Sequence, residues 1–175
     1  MDSSAGVPIR RRTVLFTFED IWAAGGAGLV GGAVMGALAM AIGASYGGDI
    51  DLWTPVKQVA GAFYGPGVAM RGFEAGPVIL GTLVHFAVAA GLGVVFAILY
   101  RRILGLPFQL GLPILMGAIY GLAIWGVAHI VLPTLNPVMA ASEKPAFVLG
   151  HIAYGVTLGV AYARLHPHTP AGDRD

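Results

Sequence analysis

Three histidines, His85, His129 and His151, stand inside long apolar runs that contain no Asp, Glu, Lys or Arg. An imidazole can ligate haem, ligate copper or zinc, or pass a proton near neutral pH, so these residues carry whatever chemistry the runs support. Their neighbours have a pattern. His85 lies midway between Gly81 and Ala89, His129 follows Gly121 and Trp125, and His151 precedes Gly155 and Gly159, all at four-residue steps. In a helix such steps share a face, so each ring is expected to look toward a partner helix. Counted from Pro77, Pro133 and Pro145 at the helical rise, the rings lie roughly 12, 6 and 9 Å below one membrane surface, in a common layer.

Several chemistries suit such a layer. The plainest is hydrogen bonding across helix interfaces, with Thr82, Thr157, Tyr120 and Tyr154 as available partners. Bis-histidine ligation of a b-type haem needs one imidazole from each of two facing helices, and His85 and His151, the deeper two, are the preferred pair. Lys57, Arg71 and Lys144 would then be candidate contacts for the propionates. Taken together, His85, His129 and His151 also make a first shell for copper or zinc, ranked second. A quinol pocket is a third reading, with a histidine accepting a proton and Glu143 as relay.

The elements that must position these rings follow from composition. Of 175 residues, 57% are hydrophobic and only 11% charged, and the mean hydropathy is +0.77, which predicts an integral membrane protein. With no cysteine, disulfides, thiolate metal sites, iron–sulfur clusters and covalent haem attachment are excluded. A net charge of +1 gives no basic face for nucleic acid. Four runs reach the roughly 20 apolar residues that a crossing helix needs, at about 21–46, 77–100, 112–132 and 146–163. Residues 1–20 and 166–175 flank this domain as polar ends. The first run is too long for the apolar part of a cleavable signal and reads as an uncleaved span.

Counting Lys and Arg by alternate sides gives seven with the termini and three opposite, so both ends are expected in the cytoplasm. Trp22, Tyr100 and Tyr162 fall at inner boundaries, and Tyr46 and Trp53 at the outer one, where aromatic side chains form belts. The long outer loop contains one helical pattern, opened by Thr54 and Pro55, with Leu52, Val56, Val59, Ala60 and Phe63 on one face and Lys57 and Gln58 turned away. This predicts a short interfacial helix, ended by Gly65-Pro66-Gly67.

Helices in lipid gain little from burying apolar surface against one another, so small residues that allow close backbone approach matter more. Such stripes run through Gly28, Gly32 and Gly36; Gly81 and Gly93; Gly117 and Gly121; and Gly155 and Gly159. The expected fold is therefore all-α, an antiparallel four-helix membrane bundle, with short connections making spans two to four successive neighbours.

Two stretches, W-x-P-x-K-x-x-A-G-x-x-Y-G-P-G at 53–67 and H-x-x-Y-G-x-x-x-G-x-A-Y-x-R-L at 151–165, resemble segments of small four-span bacterial integral membrane proteins whose function is unassigned. The resemblance implies that architecture and a place in the bacterial cytoplasmic membrane, and it transfers no ligand residue. Hydrolase, kinase and dinucleotide patterns are absent, and no intramembrane carboxylate or basic residue is present to couple ion transport. The expected function is that of a small non-catalytic subunit of a larger membrane complex, respiratory or electron-transfer in kind, with a b-type haem carrier as the alternative.

Overall fold

A computed structural model of the chain describes residues 18–70, 72–107, 111–141 and 144–165. Among the described residues there is helix and turn and no strand. The elements are α1 (Phe18–Tyr46), α2 (Thr54–Val59), α3 (Gly61–Tyr64), α4 (Ala75–Ala97), α5 (Gly111–Leu135), α6 (Pro137–Ala140) and α7 (Lys144–Leu165). A 3-10 turn at Pro66–Ala69 follows α3, and a π-helical turn at Ile98–Ile103 extends α4. Four of these helices, Phe18–Tyr46, Ala75–Ile103, Gly111–Leu135 and Pro145–Leu165, are long and apolar enough to cross a membrane.

Each expected span is present, two to three residues longer at most ends. Pro133 does not stop α5, which runs on to Leu135. A proline this close to the C-terminus removes one hydrogen bond and leaves no further turns to disrupt, and Asn136 closes the helix with its N–H on the Leu132 carbonyl at 2.8 Å.

Close packing follows the small residues. A side-chain carbon on Gly28 would run into the carbonyl of Ala89, and one on Gly93 into that of Ala24, so α1 and α4 touch backbone to backbone. The α5–α7 seam is reciprocal: Gly117 faces the carbonyl of Gly155, Gly155 that of Gly117, Gly121 that of His151 and Gly159 that of Pro113. Gly81 admits the Val56 carbonyl and so seats α2 on α4, while Gly31, absent from the expected stripe, receives the ring of Tyr154.

The neighbour order departs from expectation. Helix α1 packs on α4 and α7, and α7 on α5, whereas α4 and α5, consecutive in the chain, meet through large rings. Phe96 lies 5.3 Å from Tyr120 and 5.8 Å from Tyr162, and Tyr120 donates to the Leu92 carbonyl at 2.9 Å. Tyr100 and Tyr162, expected in the aromatic belt, are fully buried, because they fill the space that α4 and α5 leave. Trp22 and Tyr46 remain exposed. At the same end Asp20, almost wholly buried in the first turn of α1, pairs with Arg101 of the π-helical turn at 2.6 Å. Both residues fall just outside the expected spans, so the apolar runs gave no hint of the pair.

Candidate functional site

At the opposite end α1 meets α4 and α7 through side chains instead of bare backbone. Where Gly28 and Gly32 press on Ala89, Gly36 meets only the ring of His85, 3.5 Å from where a side chain would begin. Gly150 likewise faces the Met35 side chain at ordinary contact distance. The space that opens is a cavity of about 380 Å³. Its walls are the C-terminal half of α1, including Met35, Gly36 and Met40; Thr82, His85 and Phe86 of α4; and Phe147 and Gly150 of α7. Helix α2 forms the roof together with Met139 of α6.

The roof is held by polar side chains at fixed points. The carboxylate of Asp51 accepts the N–H groups of Trp53 and Thr54 and the Thr54 hydroxyl through Oδ1, and the Gly72 N–H at 2.7 Å through Oδ2. Burial alone would raise the Asp51 pKa, but these bonds outweigh it and hold the carboxyl below its ordinary range. Asp51 thereby performs the capping that the sequence assigns to Thr54, whose hydroxyl makes no bond to a helix N–H. Asn136, also buried, donates from Nδ2 to the carbonyls of Gln58 at 2.9 Å and Val59 at 3.2 Å, and its Oδ1 accepts the Met139 N–H. The signal for it was the Asn-Pro dipeptide, which marks a helix start.

The expected face of α2 is corrected. Lys57 does not point away: it is fully buried, its ammonium donates to the Met70 carbonyl, and it pairs with Glu74 at 3.4 Å. The inward positions are Thr54, Lys57 and Ala60, while Leu52 and Phe63 are exposed. Both Lys57 partners lie well downstream in the same loop, so local periodicity could not reveal them. So engaged, Lys57 is unavailable to a propionate in the cavity. Arg71 and Glu143 lie outside the described residues, as does the side chain of Lys144.

The histidines part company. His85 places Nε2 at 2.9 Å from the Gly32 carbonyl of α1, which the bare backbone at Gly32 and Gly36 makes reachable. His151 is buried and donates from Nδ1 to the Phe147 carbonyl one turn back at 2.8 Å, with the Phe147 ring edge-on 4.4 Å away. His129 is exposed, stacks on Trp125 at 5.7 Å, and borders a separate space of about 120 Å³. Among the described residues no three of His, Asp and Glu come together as a metal-holding group, which removes support from the copper or zinc shell of His85, His129 and His151.

Bis-histidine haem is also poorly served. The Nε2 that an axial ligand would offer is engaged in His85, and His151 is not part of the cavity wall that His85 joins. Three of the four polar partners expected for the rings are used elsewhere: Thr82 donates to Val78, Tyr120 to Leu92 and Tyr154 to Ala89.

Comparison with protein-family models, curated proteins and solved structures found no match. The functional argument therefore rests on the site itself.

Proposed function

We propose that this is a small, non-catalytic integral protein of the bacterial cytoplasmic membrane whose outer cavity holds an apolar ligand under the roof formed by α2. The observation that carries this reading is the cavity. Its volume falls in the range of small-molecule sites, about 300–1,000 Å³, and its lining is apolar with a few polar groups, as such sites are. An antiparallel bundle is supported by the order of contacts: moving up α1 from Ala24 to Gly28 to Gly32, the partners on α4 run down from Gly93 to Ala89 and His85. The α5–α7 seam has the same reversed order. Cytoplasmic ends are supported by the seven-to-three distribution of Lys and Arg.

The test is to purify the protein in lipid nanodiscs, extract it with solvent and identify what leaves by mass spectrometry, beside Gly36→Leu, which puts a side chain into the cavity. The expected outcome is an apolar compound near one per chain, depleted in the variant while the helical fold persists. Identical extracts from both proteins overturn the proposal. A role as accessory subunit of a respiratory or electron-transfer assembly is supported by the small extramembrane mass and the open apolar surface of α5. Its test is co-purification from native membranes, and a stable lone chain counts against it.

One observation favours the b-type haem alternative. His151 ties down Nδ1, and among the described residues its Nε2 makes no hydrogen bond, as an axial ligand requires. An absorption spectrum of native protein with a Soret band and a reduced α-band would put haem in place of our reading.

A further inference from the structure

We infer that the cavity's ligand is an apolar molecule that presents a hydroxyl group to His85, of the class of a membrane quinol or a long-chain isoprenoid alcohol. This rests on the ligand-holding reading above and specifies its chemistry. The argument follows hydrogens. A backbone carbonyl can only accept, so the contact between His85 Nε2 and the Gly32 oxygen puts the ring's hydrogen on Nε2. In that tautomer the lone pair is on Nδ1, and no hydrogen bond to Nδ1 is made among the described residues. Reversing the tautomer would set that lone pair against the Gly32 carbonyl.

The hydroxyls nearby are committed in the same sense. Thr82 gives its hydrogen to the Val78 carbonyl at 2.7 Å. Thr54 gives its own to Asp51 and receives the Asp51 N–H on its oxygen. Of the remaining donors in the lining, Gln58 belongs to the roof and Tyr46 to the exposed end of α1. Beside those two donors, the Thr82 and Thr54 hydroxyls are spent, and the His85 Nδ1 lone pair has no partner among the described residues. A ketone, ester or carboxylate there would set acceptor against acceptor, whereas a hydroxyl finds a partner. An anionic head is further disfavoured because Lys57 is turned out of the cavity onto Met70 and Glu74. Met35, Met40 and Met139, with Phe86 and Phe147, supply a soft, polarisable surface suited to a flat ring or an unsaturated chain.

The experiment measures affinities of the unaltered protein in nanodiscs for matched compounds: a short-tailed benzoquinol kept reduced, its quinone, its dimethyl ether, farnesol and farnesyl methyl ether. Each hydroxyl compound is expected to bind on the order of tenfold more tightly than its ether, and the quinol similarly more tightly than the quinone. The tighter of quinol and farnesol names the source. His85→Phe should erase the hydroxyl preference while ethers still bind, and the comparison on the unaltered chain stands even if that variant folds poorly. Equal affinity for alcohol and ether overturns the inference, and if solvent still extracts a phospholipid that Gly36→Leu depletes, the ligand-holding reading survives. No depletable occupant of any kind overturns both.

Discussion

The α5–α7 seam and the mouth where α1 meets α4 and α7 are built from the same small residues and reach opposite states. In the seam a glycine looks at a glycine or at bare backbone: Gly117 at Gly155, Gly121 at the carbonyl of His151, Gly159 at that of Pro113. The backbones touch and no space is left. At the mouth Gly36 looks at an imidazole and Gly150 at a methionine side chain, both at ordinary contact distance, and a cavity lies beside them. A glycine draws two helices together where backbone stands opposite it, whatever side chain that residue carries. Against a long side chain it makes room instead, and here the room is the candidate site.

Substitutions in the two regions separate these roles. Gly155→Leu must force α5 and α7 apart along a seam with no flexible atom to give way, and should lower stability by about 3 kcal/mol, read from unfolding in a denaturing-detergent titration. Asn136→Ala removes a helix cap and two bonds to roof carbonyls; about 1 to 2 kcal/mol should be lost in the same titration. Tyr154→Phe deletes one hydroxyl bond, to Ala89 at 2.7 Å, between helices that stay packed, and the expected loss is about 0.6 kcal/mol.

Acid should act on the roof and leave the α5–α7 seam intact. The Asp51 carboxyl titrates lower in the folded chain than unfolded, so its stabilisation is complete above the unfolded value of about 3.9 and fades as pH falls through the folded one. Hydrogen exchange at the amides of Trp53, Thr54 and Gly72, corrected for intrinsic pH dependence, should lose protection there while seam amides keep theirs. Protection unchanged through that range would show that Asp51 does not hold the roof. The smallest effect on stability belongs to Gly36→Leu, within about 0.5 kcal/mol, although it should abolish ligand uptake. A loss like that of Gly155→Leu would mean that the mouth is packed as tightly as the seam.

Span positions were legible because apolarity and length are properties of one dimension. Direction around the helix was not. Each four-residue step overshoots a full turn by roughly 40°, so two steps from Gly121 carry His129 about 80° off the seam, onto the exposed side. His151 escapes this drift because its own backbone forms part of the seam opposite Gly121. Lys57 was misread for a different reason, its partners Met70 and Glu74 being set by how the loop folds back and not by helical period. The cavity itself has no sequence signature, because it depends on which residue happens to face each glycine.

Asn136 has a mechanical consequence. With one amide it fastens the end of α5 to the last carbonyls of α2, and with its oxygen it starts α6, so the third crossing and the cover of the chamber form one lever. Helix α5 is the least enclosed of the four long helices. Through this one amide, any tilt of α5 against the bundle would carry the roof of the cavity with it.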